Sequence, residues 1–162
     1  AMLLAFLAVV YMLNYFLEFF GDITALNSWI NIFSDGQFDK LSMEFLLGQV
    51  FRVFAFMIGI PWNESALVGS LLGQKFVLNE FIAYLNLAEM KSAGFLSEKS
   101  ILISTYALCG FANFSSIAIQ IGGIGSMAPS RQKDISKLGL RALLAATLAT
   151  LLTGNIAGFI IA

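Results

Sequence analysis

The chain has 162 residues, of which 59% are hydrophobic and only 12% are charged, with a formal net charge of −1. Soluble domains carry roughly a quarter of charged residues, so this composition indicates an integral membrane protein. The near-neutral charge gives no electrostatic basis for nucleic acid binding. There is no histidine, and the single cysteine, Cys109, lies in an apolar run. This excludes His/Cys metal sites, histidine acid–base chemistry and an internal disulfide.

Residues 1–20 are apolar and long enough to cross a bilayer, which takes a helix of ~20 residues. They lack the basic start and the cleavage site of a signal peptide, so we interpret them as a scaffold transmembrane helix. Because no polar segment precedes them, we expect a larger protein of which this chain is part. Residues 21–62 are interpreted as an exposed connector and an interfacial helix, because the apolar stretch 45–60 is short and is stopped by Pro61.

Residues 63–88 are predicted to form a re-entrant helical hairpin. Its two apolar segments, 65–72 and 81–88, are each too short to cross a membrane. We expect them to meet at a tip formed by residues 73–75 and to return to the side from which they entered. Residues 74–79 at this end of the hairpin are predicted to approach residues 111–116. Lys75 would then extend its ammonium group from this tip to water.

The hairpin carries an amide beside a carboxylate, Asn79 and Glu80. Placing an ionisable group inside a membrane is costly, so such a group is a functional-site hypothesis by default. A carboxylate is a strong acceptor for sugar hydroxyls, which favours a substrate or ion contact. The alternative is a structural carboxylate near the end of the hairpin. At the hairpin's entry, Asn63 or Ser65 is expected to cap the first helix, with Glu64 at its positive end.

Residues 100–128 are predicted to form a discontinuous transmembrane helix, because glycines and hydrogen-bonding side chains interrupt its middle. Irregular backbone at this depth is tolerated only where it faces protein or a watery cavity. Phe111, Asn113 and Ser116 would place an aromatic face beside an amide and a hydroxyl. Such a set suits an uncharged, ring-containing, polyhydroxylated solute. The alternative is helix–helix packing with polar side chains as glue.

The last segment, residues 138–162, is predicted to be a transmembrane helix, and a basic loop, 129–137, precedes it. By the positive-inside rule this loop lies in the cytoplasm of a multi-pass protein of the inner or plasma membrane. The hairpin ends and the C-terminus then lie outside. Gly154 and Gly158, four residues apart, predict a face for close helix packing.

Residues 73–84 resemble the G-x-K-x-x-x-N-E-F-[VI]-A-[YF] signature of the concentrative nucleoside transporters. Residues 106–117 resemble that family's second landmark, and residues 139–162 look like its last helix. The resemblance covers nearly the whole chain and is to the C-terminal half of the family's members. It implies an all-α membrane fold that forms one of two inverted repeats, each with a re-entrant hairpin and a partly unwound helix, in a homotrimeric importer.

Carried over residue by residue, the resemblance implies that Glu80, Asn113 and Ser116 contact the ribose and that Phe111 packs on the nucleoside. The family's base-reading hairpin and main sodium site lie in the other repeat, so no metal ligand or resident cofactor is expected here. The coupling ion, Na⁺ or H⁺, stays open. The implied partners are a uridine-like nucleoside, membrane lipid and the N-terminal half, without which this chain should not transport.

Two hypotheses from other classes compete with ion-coupled symport of nucleosides. One is an intramembrane enzyme that uses Glu80 as acid–base. The absence of histidine, of a catalytic cysteine environment and of a metal-binding motif disfavours it. The other is a passive structural subunit, which would need no polar pair inside the membrane.

Overall fold

The computed structural model describes residues 2–34 and 36–161, which form eight α-helices and one 3₁₀ turn and contain no strand. The all-α prediction is therefore confirmed. Ala1 and Ala162, the outermost residues of the predicted first and last spans, lie outside the described residues. The helices are α1 (Met2–Ile23), α2 (Leu26–Phe33), α3 (Met43–Met57), α4 (Ser65–Val77), α5 (Glu80–Ser92), α6 (Glu98–Leu108), α7 (Phe114–Met127) and α8 (Gln132–Ile161).

One described helical segment, Pro129–Ile160, is by itself long and apolar enough to cross a membrane. Residues 8–23 of α1 meet the same test only together with α2, from which they are bent by 98°. Helices α6 and α7 have 11 and 14 residues and are too short to span separately. They lie on the two sides of an interruption. The predicted division of the chain into spanning, interfacial and re-entrant parts concerns the bilayer and stays a prediction.

The connector after α1 is held to that helix by polar side chains. The Asn27 amide donates to the Glu18 carbonyl oxygen at 3.1 Å, and its oxygen accepts from the backbone N–H of Leu41 at 2.8 Å. Lys40 donates to Glu18 Oε1 at 2.7 Å, and this hydrogen bond raises the pKa of the Lys40 ammonium. The connector therefore folds back on α1 although its sequence is polar and rich in turns.

Helices α3 and α4 pack antiparallel through glycines. A Cβ on Gly69 would lie 2.6 Å from the carbonyl oxygen of Gly48, and one on Gly73 would overlap with Leu47 Cβ. Because only hydrogen fits at these positions, the two backbones approach more closely than larger residues permit. Gly73 therefore serves helix packing and does not form the tip of the hairpin.

The hairpin is longer than predicted, and its turn lies elsewhere. Helices α4 and α5 have 13 residues each and meet at Leu78 and Asn79. The prediction of a tip at residues 73–75 is wrong, because these residues continue α4 and are buried. The side chain of Asn79 accepts from the backbone N–H of Ile82 at 3.0 Å and so begins α5 with an N-cap.

The entry of the hairpin also differs from its prediction. Glu64 occupies the N-cap position of α4, and no side chain caps this helix. The Glu64 carboxylate instead accepts from the backbone N–H and the hydroxyl of Ser97, at 3.1 and 3.0 Å. The expected cap by Asn63 or Ser65 is therefore wrong, since Glu64 joins the starts of α4 and α6.

The predicted interruption of the helix at 100–128 is present, between α6 and α7. Helix α8 begins at Gln132, so most of the expected basic loop 129–137 is helical, with Pro129 opening the 3₁₀ turn before it. The predicted packing face on α8 is confirmed. A Cβ on Gly154 would lie 2.9 Å from Ala107 Cβ, and one on Gly158 would lie 2.6 Å from Ile103 Cδ1.

Candidate functional site

The turn of the hairpin meets the interruption between α6 and α7. The Ser115 hydroxyl donates to the carbonyl oxygen of Leu78 at 3.4 Å. The rings of Phe76 and Phe114 pack edge to face, with their centroids 5.0 Å apart. Two places where helical hydrogen bonding stops are therefore in contact, and each leaves backbone groups without helical partners.

Asn113 connects the two elements. Its side chain is 2% exposed, and its Oδ1 accepts from the backbone N–H and the hydroxyl of Ser116, at 2.8 and 2.9 Å. These bonds cap the start of α7. Its Nδ2 donates to Glu80 Oε2 at 2.9 Å, so the cap also orients the carboxylate of the hairpin. The structure thus brings together Glu80, Asn113 and Ser116, three of the four residues predicted for the site.

The interruption depends on a glycine. Gly110 has a φ of +131°, a conformation that other residues adopt only with strain. A Cβ at this position would also lie 2.8 Å from Thr150 Cγ2 on α8. The backbone after Gly110 leaves Phe111, the fourth predicted residue, with 79% of its surface exposed.

A cleft of about 310 Å³ opens between α7 and α8. Glu80 is not among the residues that line the cleft, but its carboxylate is hydrogen-bonded to Asn113, which does line it. Glu80 is half-buried, and its Oε1 accepts no hydrogen bond from residues 2–34 and 36–161. The cleft has a polar end and long apolar walls. Its lining residues are Phe111, Ala112, Asn113, Ser116, Ile117, Gln120, Ile121, Ile135, Leu138, Gly139, Ala142, Leu143 and Ala146.

Lys75 is the residue whose position the sequence-based reasoning missed. It was expected to reach water, but it is 3% exposed. Its Nζ donates to the carbonyl oxygen of Ala107 at 2.9 Å and to Thr150 Oγ1 at 2.8 Å. The prediction is wrong because the turn lies beyond Lys75, which leaves the ammonium inside the helix bundle. A lysine flanked by apolar residues was the available signal, whereas nothing in the sequence marks Thr150.

The arrangement offers hydrogen-bonding groups and an aromatic face. Ionised Glu80 only accepts, and the Ser116 hydroxyl, which donates to Asn113 Oδ1, can still accept from a solute. Phe111 presents a ring to the cleft. In the part of the chain that the structure describes, no group of three His, Cys, Asp or Glu side chains could hold a metal ion. These contacts can bind and orient a solute that carries hydroxyl groups.

A family model described as the C-terminus of the Na⁺-dependent nucleoside transporters matches residues 1–158. The uncharacterized transporter YutK of Bacillus subtilis is 47% identical over 161 residues, which is 99% of this chain and 36% of that protein. Human solute carrier family 28 member 3 is 40% identical over 171 residues, covering 98% of this chain and 23% of the relative. The nucleoside permease NupC of Helicobacter pylori is 42% identical over 126 residues, with coverages of 76% and 30%.

The transporter CNTnw in an inward-facing substrate-bound state has the same fold, with a TM-score of 0.78 and 40% sequence identity. The match covers 96% of this chain and 35% of that one. The chain therefore spans about a quarter to a third of the length of these relatives. They are transporters, so the hypothesis of an intramembrane enzyme is set aside. The resemblance found in the sequence is confirmed: this membrane protein belongs to the Na⁺-dependent nucleoside transporter family and corresponds to its C-terminal part.

Proposed function

We propose that this chain is the ribose-binding C-terminal half of a transporter that imports nucleosides by symport with a cation, Na⁺ or H⁺. One observation carries the proposal: Asn113 hydrogen-bonds both Glu80 and Ser116 where two interrupted helical elements meet. Interrupted helices at such a meeting point are typical of substrate sites in secondary transporters. The relatives that carry the name nucleoside permease or nucleoside transporter support a nucleoside as the solute.

The chemistry of the site favours the sugar over the base. Glu80 Oε1 is available to accept from a hydroxyl, and Ser116 lies at the polar end of the cleft. Adjacent ribose hydroxyls can each donate to one of these acceptor oxygens. The exposed ring of Phe111 would pack on the nucleoside. A uridine-like molecule would thus be held by hydrogen bonds at its sugar and by apolar contact elsewhere.

Three contacts support the proposed orientation in the membrane. They join Glu64 to Ser97, Gln37 to the carbonyl oxygen of Asn63, and Asn155 to the carbonyl oxygen of Met57. The connector, the hairpin entry, the start of α6 and the late part of α8 therefore lie at one end of the structure. The basic segment 129–137 lies at the start of α8. The positive-inside rule would place that segment in the cytoplasm, with the hairpin ends and the end of α8 outside.

The complete transporter would need further partners. We propose that the N-terminal half supplies the base-reading hairpin and the main site of the coupling ion, and that the assembly is a homotrimer. The aromatic side chains of α1 support such contacts, since large ones are exposed along the helix: Tyr11, Tyr15, Phe16, Phe19 and Phe20. An apolar face of this size is normally covered by lipid or by another protein surface.

Uptake by the complete transporter tests the function. Purified protein in sealed vesicles should concentrate radiolabelled uridine above the outside level when a Na⁺ or proton gradient is imposed. An ionophore that collapses the gradient should abolish accumulation and serves as the control. Equilibration without accumulation would contradict symport, and absence of uridine entry under either gradient would contradict nucleoside transport.

A further inference from the structure

Lys75 lies in the last turn of α4, and its ammonium connects three helices. It donates to the carbonyl oxygen of Ala107 in α6 and to the hydroxyl of Thr150 in α8. The side chain is 3% exposed within this chain alone. A buried ammonium is costly unless polar groups compensate its charge. The two contacts must therefore supply this compensation.

The direct contacts that compensate this charge are dipoles. The ion pairs among residues 2–34 and 36–161 are Lys40–Glu18 and Arg131–Asp134, and neither includes Lys75. Ala107 belongs to the last turn of α6, whose carbonyl groups have no helical partners and carry partial negative charge. Lys75 also lies at the C-terminal end of its own helix. Two negative helix ends therefore converge on one ammonium group.

The ammonium also lies next to the interruption that forms the candidate site. Leu108 alone separates Ala107 from the non-helical segment 109–113. Gly110 in that segment packs against the Thr150 side chain. Both acceptors of the Lys75 ammonium thus border the backbone that presents Phe111 and Asn113. A displacement of either acceptor would be transmitted to these two residues.

We propose that Lys75 is a resident cation of the substrate site: its ammonium occupies a cation-binding position formed by the Ala107 carbonyl and the Thr150 hydroxyl. Lys75 is a positioning residue, because it holds the end of α6 and the adjoining α8 in the arrangement that orients Asn113 without contacting the solute. The inference rests on the proposed function only where substrate affinity is the readout.

Chemical rescue in the complete transporter tests this role. Lys75→Ala removes the ammonium and leaves space for propylammonium, which has the same atoms as the deleted part of the side chain. The variant should have a lower Tm and about tenfold weaker uridine binding, the loss expected for a charged hydrogen bond. Propylammonium should restore part of both, and 1-propanol, which lacks the charge, should restore neither. Equal rescue by the alcohol, or a Lys75→Met variant that matches the wild type, would overturn the proposal.

A second pair of variants decides the matter if Lys75→Ala does not fold. Thr150→Val removes one acceptor and keeps the shape of the side chain, whereas Thr150→Ser keeps the hydroxyl. The valine variant should lose Tm and uridine affinity, and the serine variant should retain most of both. Thr153→Val is the matched control, because among the described residues that hydroxyl donates to the Ala149 carbonyl of its own helix and contacts no other helix by a hydrogen bond. An equal effect of Thr150→Val and Thr153→Val would contradict the proposal.

The two readouts separate two kinds of failure. If the wild-type transporter does not bind uridine, the proposed function fails, and the Tm of the Lys75 and Thr150 variants still tests the resident cation. If uridine binds and the variants show no cation-specific rescue of Tm or affinity, the proposal for Lys75 fails alone.

Discussion

Glu80 and Asn113, 33 positions apart in the chain, are joined by a hydrogen bond of 2.9 Å from the amide nitrogen to the carboxylate. The orientation of the Asn113 amide is fixed, because its oxygen accepts hydrogen bonds from the backbone N–H and the hydroxyl of Ser116. The cap of α7 therefore determines where the Asn113 nitrogen points, and the nitrogen determines where the Glu80 carboxylate is held. A local helix-capping motif thus fixes the contact between two distant elements.

Replacing Glu80 by glutamine tests the role of its charge. Glu80→Gln keeps the size of the side chain but loses charge-assisted hydrogen bonds, about 1.5–3 kcal/mol or roughly ten- to hundred-fold in affinity. Uridine binding to the complete transporter, measured by isothermal titration, should weaken while expression changes little. Glu89→Gln, on the exposed part of the same helix, should bind as the wild type does. Affinity for uridine within a factor of two of wild type would make Glu80 structural.

Two substitutions of Asn113 separate capping from substrate binding. Asn113→Ser keeps an uncharged N-cap acceptor for the Ser116 N–H but loses the donor to Glu80, so affinity should fall while Tm holds better than in the alanine variant. Asn113→Ala also loses the cap, which costs about 1 kcal/mol, and should lower both quantities. Thermal unfolding and uridine titration of both variants measure the difference. Equal Tm losses in the two variants would show that the cap does not matter.

Phe111 is predicted to contribute to binding and little to folding, since 79% of its surface is exposed. Phe111→Ala should weaken uridine binding by the loss of apolar and ring contact, about 0.5–1.5 kcal/mol or more, without lowering Tm. Phe159→Ala, at a residue that is 84% exposed on α8, is the control and should change neither quantity. A Phe111→Ala variant that binds normally would remove this residue from the site.

Gly110 is predicted to be essential for the interruption between α6 and α7. Gly110→Ala places a Cβ in a strained backbone conformation and against Thr150, at a cost of about 1–3 kcal/mol. Gly122→Ala is the matched control, because a Cβ there meets no atom within 4 Å and alanine favours a helix. Thermal unfolding should show a loss of stability for the first variant and none for the second. A Gly110→Ala variant as stable as wild type would contradict this requirement.

The sequence predicted those features that local chemistry determines. Gly110 and the polar residues after it indicate an interrupted helix, and Asn113 before a helical stretch is a standard N-cap. The spacing of Gly154 and Gly158 predicted close packing, which α6 and α8 show. In each case, the residue type alone limits the conformation or the distance of approach.

Features that depend on a distant partner were not predictable in the same way. In the sequence alone Gly73 is typical of a turn, and its role in packing against Leu47 is evident only in the structure. Likewise, Lys75 is typical of a surface residue, and its contact with the Ala107 carbonyl is evident only in the structure. The length of α8 was underestimated, because its basic start has the composition of a loop although it is helical. Propensity and hydropathy describe a segment, whereas these positions are decided by tertiary contacts.

Competition by uridine analogues tests most directly the claim that this half of the transporter binds the ribose. In the complete protein, unlabelled uridine should displace labelled uridine, and 3′-deoxyuridine should displace it much less. Comparison with 2′-deoxyuridine shows which of the two hydroxyls makes the tightest contact. A missing hydroxyl would leave Glu80 or Ser116 without a partner in the bound complex, which costs more than the bond itself contributes. Free uracil should hardly compete. Equal inhibition by uracil and uridine would contradict ribose binding by Glu80, Asn113 and Ser116.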